Sequence, residues 1–218
     1  IGILDISGTK NTGMYFEADS PTTSSDPSTF NIKKSKIKIT DGGSGNSNVG
    51  LLAKKAIINY GDTSNTPIID IYGGSSNVGI AVDSAFTNTG NNEINSYANI
   101  KLSGGTSNLG IAATTDAKFA NYGKVEITQT GNTGIVAKGS STATLVTGSG
   151  ATISIDSRVQ NGDGTTKGTV EVGAGNSAGM AAVSGGAIKN TKTGTITVTA
   201  GAGMYTDATS YAVNYGTI

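Results

Sequence analysis

An all-β, right-handed parallel β-helix with three short strands in each of about seven coils is the fold this sequence predicts. Three observations point to it. First, a motif recurs seven times: two aliphatic residues one apart, a polar turn, then Gly and an apolar residue. It runs from Leu4-Asp5-Ile6 with Gly13-Met14, through Ile37-Lys38-Ile39 with Gly50-Leu51, Ile69-Asp70-Ile71 with Gly79-Ile80, Ile100-Lys101-Leu102 with Gly110-Ile111 and Val125-Glu126-Ile127 with Gly134-Ile135. Two looser copies are Val170-Glu171-Val172 with Gly179-Met180 and Ile196-Thr197-Val198 with Gly203-Met204. An internal repeat of this length marks a solenoid. Second, turn formers are abundant, with Gly at 33 of 218 positions, and the runs between them are β-branched with no 3.6-residue apolar period. Third, the shortest step between motif glycines is 24 residues, Gly110 to Gly134 and again Gly179 to Gly203. Three short strands and three turns fit that length.

The first strand of each coil is the Ile-x-Ile segment. Alternation turns its flanking residues inward and its middle residue outward. Down five coils the middle residue is Asp5, Lys38, Asp70, Lys101 and Glu126, changing sign at every step before Glu171 and Thr197 end the series. Parallel stacking at about 4.8 Å predicts a charge ladder, each exposed pair contributing about 0.2–1 kcal/mol. The second strand follows the motif Gly, and Leu51, Ile80, Ile111, Ile135, Met180 and Met204 form its inward column. The third is read in Ala56-Ile57-Ile58-Asn59, Lys118-Phe119-Ala120-Asn121, Ala187-Ile188-Lys189-Asn190 and Tyr211-Ala212-Val213-Asn214. Burying each aliphatic side chain contributes about 1.5–3 kcal/mol. Asn11, Asn48, Asn77, Asn108 and Asn132 recur two places before the Gly. Asn tolerates left-handed backbone and stacked amides bond one another, so these read as a structural ladder, not as ligands.

Residues beyond the bare coil leave it as insertions, expected at 17–29, 87–97 and 156–169, with a shorter one from Asp62 to Pro67. The last large one reads as a projecting hairpin. Thr152 to Val159 would go out, Asn161-Gly162-Asp163-Gly164 would turn, and Thr169 to Val172 would return. Deleting residues 157–168 is expected to leave the fold intact. Arg158, Asp163 and Lys167 here, with Tyr97 in the second insertion, are the candidate binding residues, since solenoid excursions carry specificity or else drift freely. Tyr60, Tyr122 and Tyr215 share an Asn-Tyr-Gly turn that either covers a corner or stacks on a partner. Lys33, Lys34, Lys36, Lys38, Lys54 and Lys55 are compatible with an acidic glycan or with a solvated face.

Chemistry is narrowed by what is missing. His and Cys are absent, which removes His- and Cys-based nucleophiles and ordinary zinc sites. The 11 Asp and 4 Glu are scattered along the chain, where polysaccharide lyases and hydrolases cluster theirs. No enzyme, cofactor or metal site is therefore expected. Gly42 to Val49 is similar to a calcium-binding nonapeptide, but Asn46 stands where Asp is needed. Zero formal net charge argues against nucleic acid. No apolar run is long enough for a membrane helix. The chain starts and stops inside a repeat, so a segment of a longer solenoid is expected.

The phrases NVGLLAKKAIINYG (48–61), NLGIAATTDAKFANYGKVEIT (108–128) and NTGIVAKG (132–139) resemble the passenger repeats of type V (classical) autotransporter adhesins, in the style of the large fusobacterial outer-membrane adhesins. The resemblance covers essentially the whole chain. It implies a secreted rod on the bacterial cell surface, held to the outer membrane only through a C-terminal β-barrel absent from this sequence. It also implies a role in cell adhesion and virulence, with a host or bacterial cell-surface protein or glycan as partner. No binding residue is carried over, because no family binding motif matches. The alternatives are a polysaccharide-acting β-helix or phage-type tailspike, and a trimeric autotransporter segment.

Overall fold

The structure is a computed structural model describing residues 2–17, 29–40, 47–54, 56–83, 94–114, 117, 119–139 and 159–218. Seven coils follow one another. The first holds β1 (Ile3–Ile6), β2 (Thr12–Glu17) and β3 (Thr29–Ile32), and the second β4 (Lys36–Ile39), β5 (Val49–Lys54) and β6 (Ile57–Tyr60). The third holds β7 (Ile68–Ile71), β8 (Val78–Asp83) and β9 (Ile94–Ser96); the fourth β10 (Asn99–Leu102), β11 (Leu109–Thr114) and β12 (Phe119–Asn121). The fifth holds β13 (Lys124–Ile127), β14 (Thr133–Lys138) and β15 (Val159–Asn161). In the last two coils the first and second strands run on as one, giving β16 (Gly168–Val183) with β17 (Ala187–Asn190), then β18 (Gly194–Thr206) with β19 (Tyr211–Asn214). Among the described residues there is no helix.

Every named strand pair is parallel. The third strands stack as one seven-stranded sheet, and the others join through β16 into a 12-stranded sheet that wraps the rest of the coil. This is a parallel β-helix. Its core is three sets of aliphatic columns. Ile37, Ile69, Ile100, Val125 and Val170 are in register on the first face, beside Ile39, Ile71, Leu102, Ile127 and Val172. The second face contributes Leu51, Ile80, Ile111, Ile135 and Met180, and the third Ile58, Ile94, Phe119, Val159 and Ile188. These side chains are buried. One coil alone would leave them wet, so the stack is the unit of stability.

The motif Gly is required by close approach, not by a special φ. A Cβ on Gly79 would lie 2.6 Å from the Gly110 carbonyl oxygen, and one on Gly110 the same distance from that of Gly134. The asparagine ladder is real but built differently from the expectation. The Oδ1 of Asn48, Asn77, Asn108 and Asn132 accepts the backbone N–H of the equivalent Asn one coil earlier, at 2.8–2.9 Å. Their side-chain amides donate to turn carbonyls, as Asn77 does to Gly73 and Asn108 to Gly104, both at 2.9 Å. The left-handed residue is the one before the Asn: Lys10, Ser47, Ser76 and Ser107 have φ of 58°, 46°, 58° and 57°. Turning that neighbour frees the Asn side chain to point inward and bridge coils.

The outward charges stack as read: Asp5, Lys38, Asp70, Lys101, Glu126, Glu171 and Thr197 are successive register partners. Lys101 pairs with Glu126 at 3.8 Å, and diagonal lysines complete the row, Lys36 with Asp70 at 3.2 Å and Lys124 with Glu171 at 2.8 Å. Lys124 thus sits between two glutamates that would otherwise repel, and its hydrogen bond to Glu171 raises its pKa.

The projecting hairpin is corrected. Val159 to Asn161 is not an outgoing arm but the third strand of the fifth coil, parallel between β12 and β17. Val159 is buried in the column between Phe119 and Ile188, a gain that a solvated two-stranded projection would forfeit. Removing the stretch would therefore break a coil. Within 87–97, Ile94 to Ser96 is likewise a coil strand. Residues 18–28, 84–93 and 140–158, Arg158 among them, lie outside the described residues, as do 41–46 of the nonapeptide-like segment.

Candidate functional site

The corner after the third strand positions the site. Its length changes from coil to coil. It spans 61–67 after β6, only 97–98 after β9 and 122–123 after β12, then 162–167 after β15. Two long turns thus flank two minimal ones. With about 4.8 Å per coil, the long turns stand about 14 Å apart along the axis. The short corners between them carry Tyr97 and Tyr122.

Both long turns begin with Gly-Asp, and in both the Asp side chain folds the turn. The Asp62 carboxylate accepts the Ser64 N–H at 2.8 Å and both its oxygens take the Asn65 amide, at 2.8 and 3.0 Å. Oδ1 of Asp163 accepts the N–H groups of Thr165 and Thr166 at 2.7 and 2.6 Å. The Asn65 and Ser64 hydrogen bonds hold Asp62 below the usual carboxylate range, helped by the charge of Lys33. Partial burial works against ionisation of Asp163, but hydrogen bonds from Thr166, Thr165 and the Tyr122 hydroxyl outweigh it and lower its pKa. The second turn is tied down by Thr193 of the next corner, which accepts the Gly164 N–H at 3.0 Å and donates to the Thr166 carbonyl at 2.8 Å.

Tyr97 and Tyr122 meet with ring centroids 5.0 Å apart and planes tilted by 38°, within the geometry aromatic pairs favour. Both are half-buried. Burial first, then the charges of Asp163 and Asp62, push the Tyr97 phenol up, so both carboxylates act on the ring pair. Two grooves meet here, and Asp62, Tyr97 and Tyr122 line both. One, of about 410 Å³, runs over Asn31, Asn59 and Asn95 towards Lys33. These three amides form an outward ladder, Asn59 donating to Asn31 at 2.9 Å and Asn95 to Asn59 at 3.0 Å. The other, of about 350 Å³, is walled by Thr63, Thr66, Thr166 and Lys167.

Tyr97 and Lys167 lie in the groove wall, and Asp163, which lines a neighbouring cleft with Lys189 and Tyr215, joins them through the Tyr122 hydroxyl; Arg158 lies outside the described residues. Sequence reasoning missed Asp62 and did not join Tyr122 to the other three. The shared Gly61-Asp62 and Gly162-Asp163 steps were the available signal. The Asn-Tyr-Gly grouping needs correction, since Tyr60 is one register position away from Tyr122. It is fully buried, with its hydroxyl 2.7 Å from Ser35 Oγ, and burial pushes its pKa up to about 12. Tyr215 lies beneath Lys189, whose Nζ is 5.6 Å from the ring centroid. The lysine cluster is mostly drawn into pairs and rows: Lys36 meets Asp70, Lys54 meets Glu17 at 3.7 Å, and Lys38 stands between Asp5 and Asp70 in the ladder.

Among the described residues no group of three or more His, Cys, Asp or Glu side chains is placed to hold a metal ion. Among the described residues no helix is long and apolar enough to cross a membrane. No protein-family model, curated protein or solved structure matches this chain.

Proposed function

We propose that this chain is a rod segment of a bacterial surface adhesin of the autotransporter type, holding a contact surface away from the cell and meeting a host or bacterial partner at its variable corner. The observation that carries the reading is the division of the coil. Stacked Gly and Asn fix one corner in coil after coil, while the corner after the third strand changes length and gathers tyrosines, carboxylates and lysines. A regular rod with one diversified edge suits display and contact. Asp62 and Asp163 are engaged in turn hydrogen bonds and held ionised, which favours binding over general acid chemistry at neutral pH, where a raised pKa would be needed.

The test is cell binding. Fluorescently labelled protein should bind host epithelial cells or partner bacteria saturably, and unlabelled protein should compete. Binding no greater than that of an unrelated β-helix of similar charge would reject the adhesive role.

A further inference from the structure

The groove at the Tyr97–Tyr122 pair has a chemistry that selects one class of ligand. Its floor is two tilted aromatic rings 5.0 Å apart. Its ends are two turns closed by Asp62 and Asp163, about 14 Å apart at about 4.8 Å per coil. A ligand of alternating apolar faces and hydroxyl edges meets complementary partners there. Ring C–H faces pack on the phenols, and hydroxyls donate to carboxylates or accept from amides and lysines. Charges of both signs meet here: Lys33 and Asp62 line one groove, Asp62, Lys124 and Lys167 line the other, Lys124 is already paired with Glu126 and Glu171, and Asp163 adjoins through the Tyr122 hydroxyl. A strongly anionic or cationic ligand would meet a repelling group wherever it met an attracting one, whereas an uncharged polyol uses both.

We propose that this groove is a binding site for a neutral oligosaccharide. The sugar chain lies along the rod axis, stacks on Tyr97 and Tyr122, and reaches the outward Asn59–Asn95 amides. The groove's length, spanning the coils between the two long turns, fits several sugar rings and not one. The inference deepens the adhesive reading and rests on it for the cellular setting alone.

The experiment uses the purified 218-residue chain and neutral tetrasaccharides built from glucose, galactose, mannose or N-acetylglucosamine. Sialylated and polygalacturonate oligomers serve as acidic probes and glucosamine oligomers as cationic ones. Saturation-transfer NMR and calorimetry are the readouts, at low and high salt. At least one neutral series should bind, with little salt dependence. Tyr122→Ala should weaken binding about tenfold and Tyr122→Phe should keep most of it; both should keep the wild-type circular dichroism spectrum, with Tyr122→Ala melting somewhat lower because it loses the Tyr97 contact and the Asp163 bond. Asp62→Asn is a second probe that leaves the rings in place and should weaken binding several-fold. Preference for acidic or cationic oligomers, no binding by any neutral series, or affinity unmoved by Tyr122→Ala would each overturn the proposal. The two readings fail separately: cell binding that survives Tyr122→Ala removes the groove and leaves adhesion, while sugar binding without cell binding does the reverse.

Discussion

Two corners of the same coil obey different rules. At the corner before the second strand, side chains reach across coils to bond backbone: Oδ1 of Asn108 takes the N–H of Asn77, and Oδ1 of Asn132 that of Asn108. At the corner after the third strand, Asp62 and Asp163 close their own turns, and only the second turn is also tied to its neighbours, through the Tyr122 hydroxyl and Thr193. A contact that spans coils fixes the turn geometry of two neighbours at once. A contact inside one turn leaves its neighbours free, so that corner can hold seven residues at 61–67 and two at 97–98. Constraint between coils makes the rod; constraint within turns permits the groove.

The comparison breaks most sharply at the glycines. Gly79→Ala would put a methyl group against the Gly110 carbonyl at 2.6 Å and should cost about 3 kcal/mol, read as a fall in the denaturation midpoint. Shortening the Asp62–Thr66 excursion to the two-residue form should cost far less, because loop closure changes slowly with length. Equal losses from the two changes would erase the distinction. Below the glycine change in size comes Asn108→Ala, which leaves the buried N–H of Asn77 without an acceptor and should cost about 2 kcal/mol.

Alkaline titration tests the base of the variable corner. Tyr60 has its pKa raised to about 12 in the fold, against about 10 unfolded, so the fold favours the neutral phenol. Its contribution is complete below pH about 10 and lost as pH rises towards about 12, on the order of 2 kcal/mol. Melting temperatures followed across that range should drop steeply in wild type and less in Tyr60→Phe. A parallel course for the two proteins would mean that the corner opens to water. The smallest effect belongs to Lys101→Asp, which replaces the cation between Asp70 and Glu126 and should cost about 0.5 kcal/mol, visible only in low salt. An unchanged melting temperature there would show that the row does not interact.

Most of the rod was legible in the sequence because its rules are local and repeated. The Ile-x-Ile alternation placed Ile39, Ile71 and Leu102 inside and aligned Asp5 through Glu126 in the register observed. The site was legible only in pieces. Tyr97, Asp163 and Lys167 stood out as residues in excursions, but their meeting depends on which strands stack between them. That register hid in the third strand, where Asn59-Tyr60-Gly61 and Asn121-Tyr122-Gly123 read alike yet sit one position apart. The single-position slip buries Tyr60 fully and leaves Tyr122 half-buried. The strongest hairpin signal, Asn161-Gly162, misled because a turn signal fixes a change of direction and not the strand that follows. Burial of Val159 decided the pairing.

An asparagine stack on the third face runs from the buried Asn121, Asn161 and Asn190 to the exposed Asn214, each side-chain amide donating to the Oδ1 of the next. The register position before Asn121 is Ser96, too short to continue the stack, and the Asn121 Oδ1 is left buried without a partner. Across that seam the Ser96 carbonyl accepts the N–H groups of Tyr122 and Gly123 at 2.7 and 3.1 Å, so backbone bonds do there what side-chain amides do in the later coils. Tyr97 and Tyr122 straddle that seam, one on each side. A sugar chain lying across both rings would bridge the two coils at that seam.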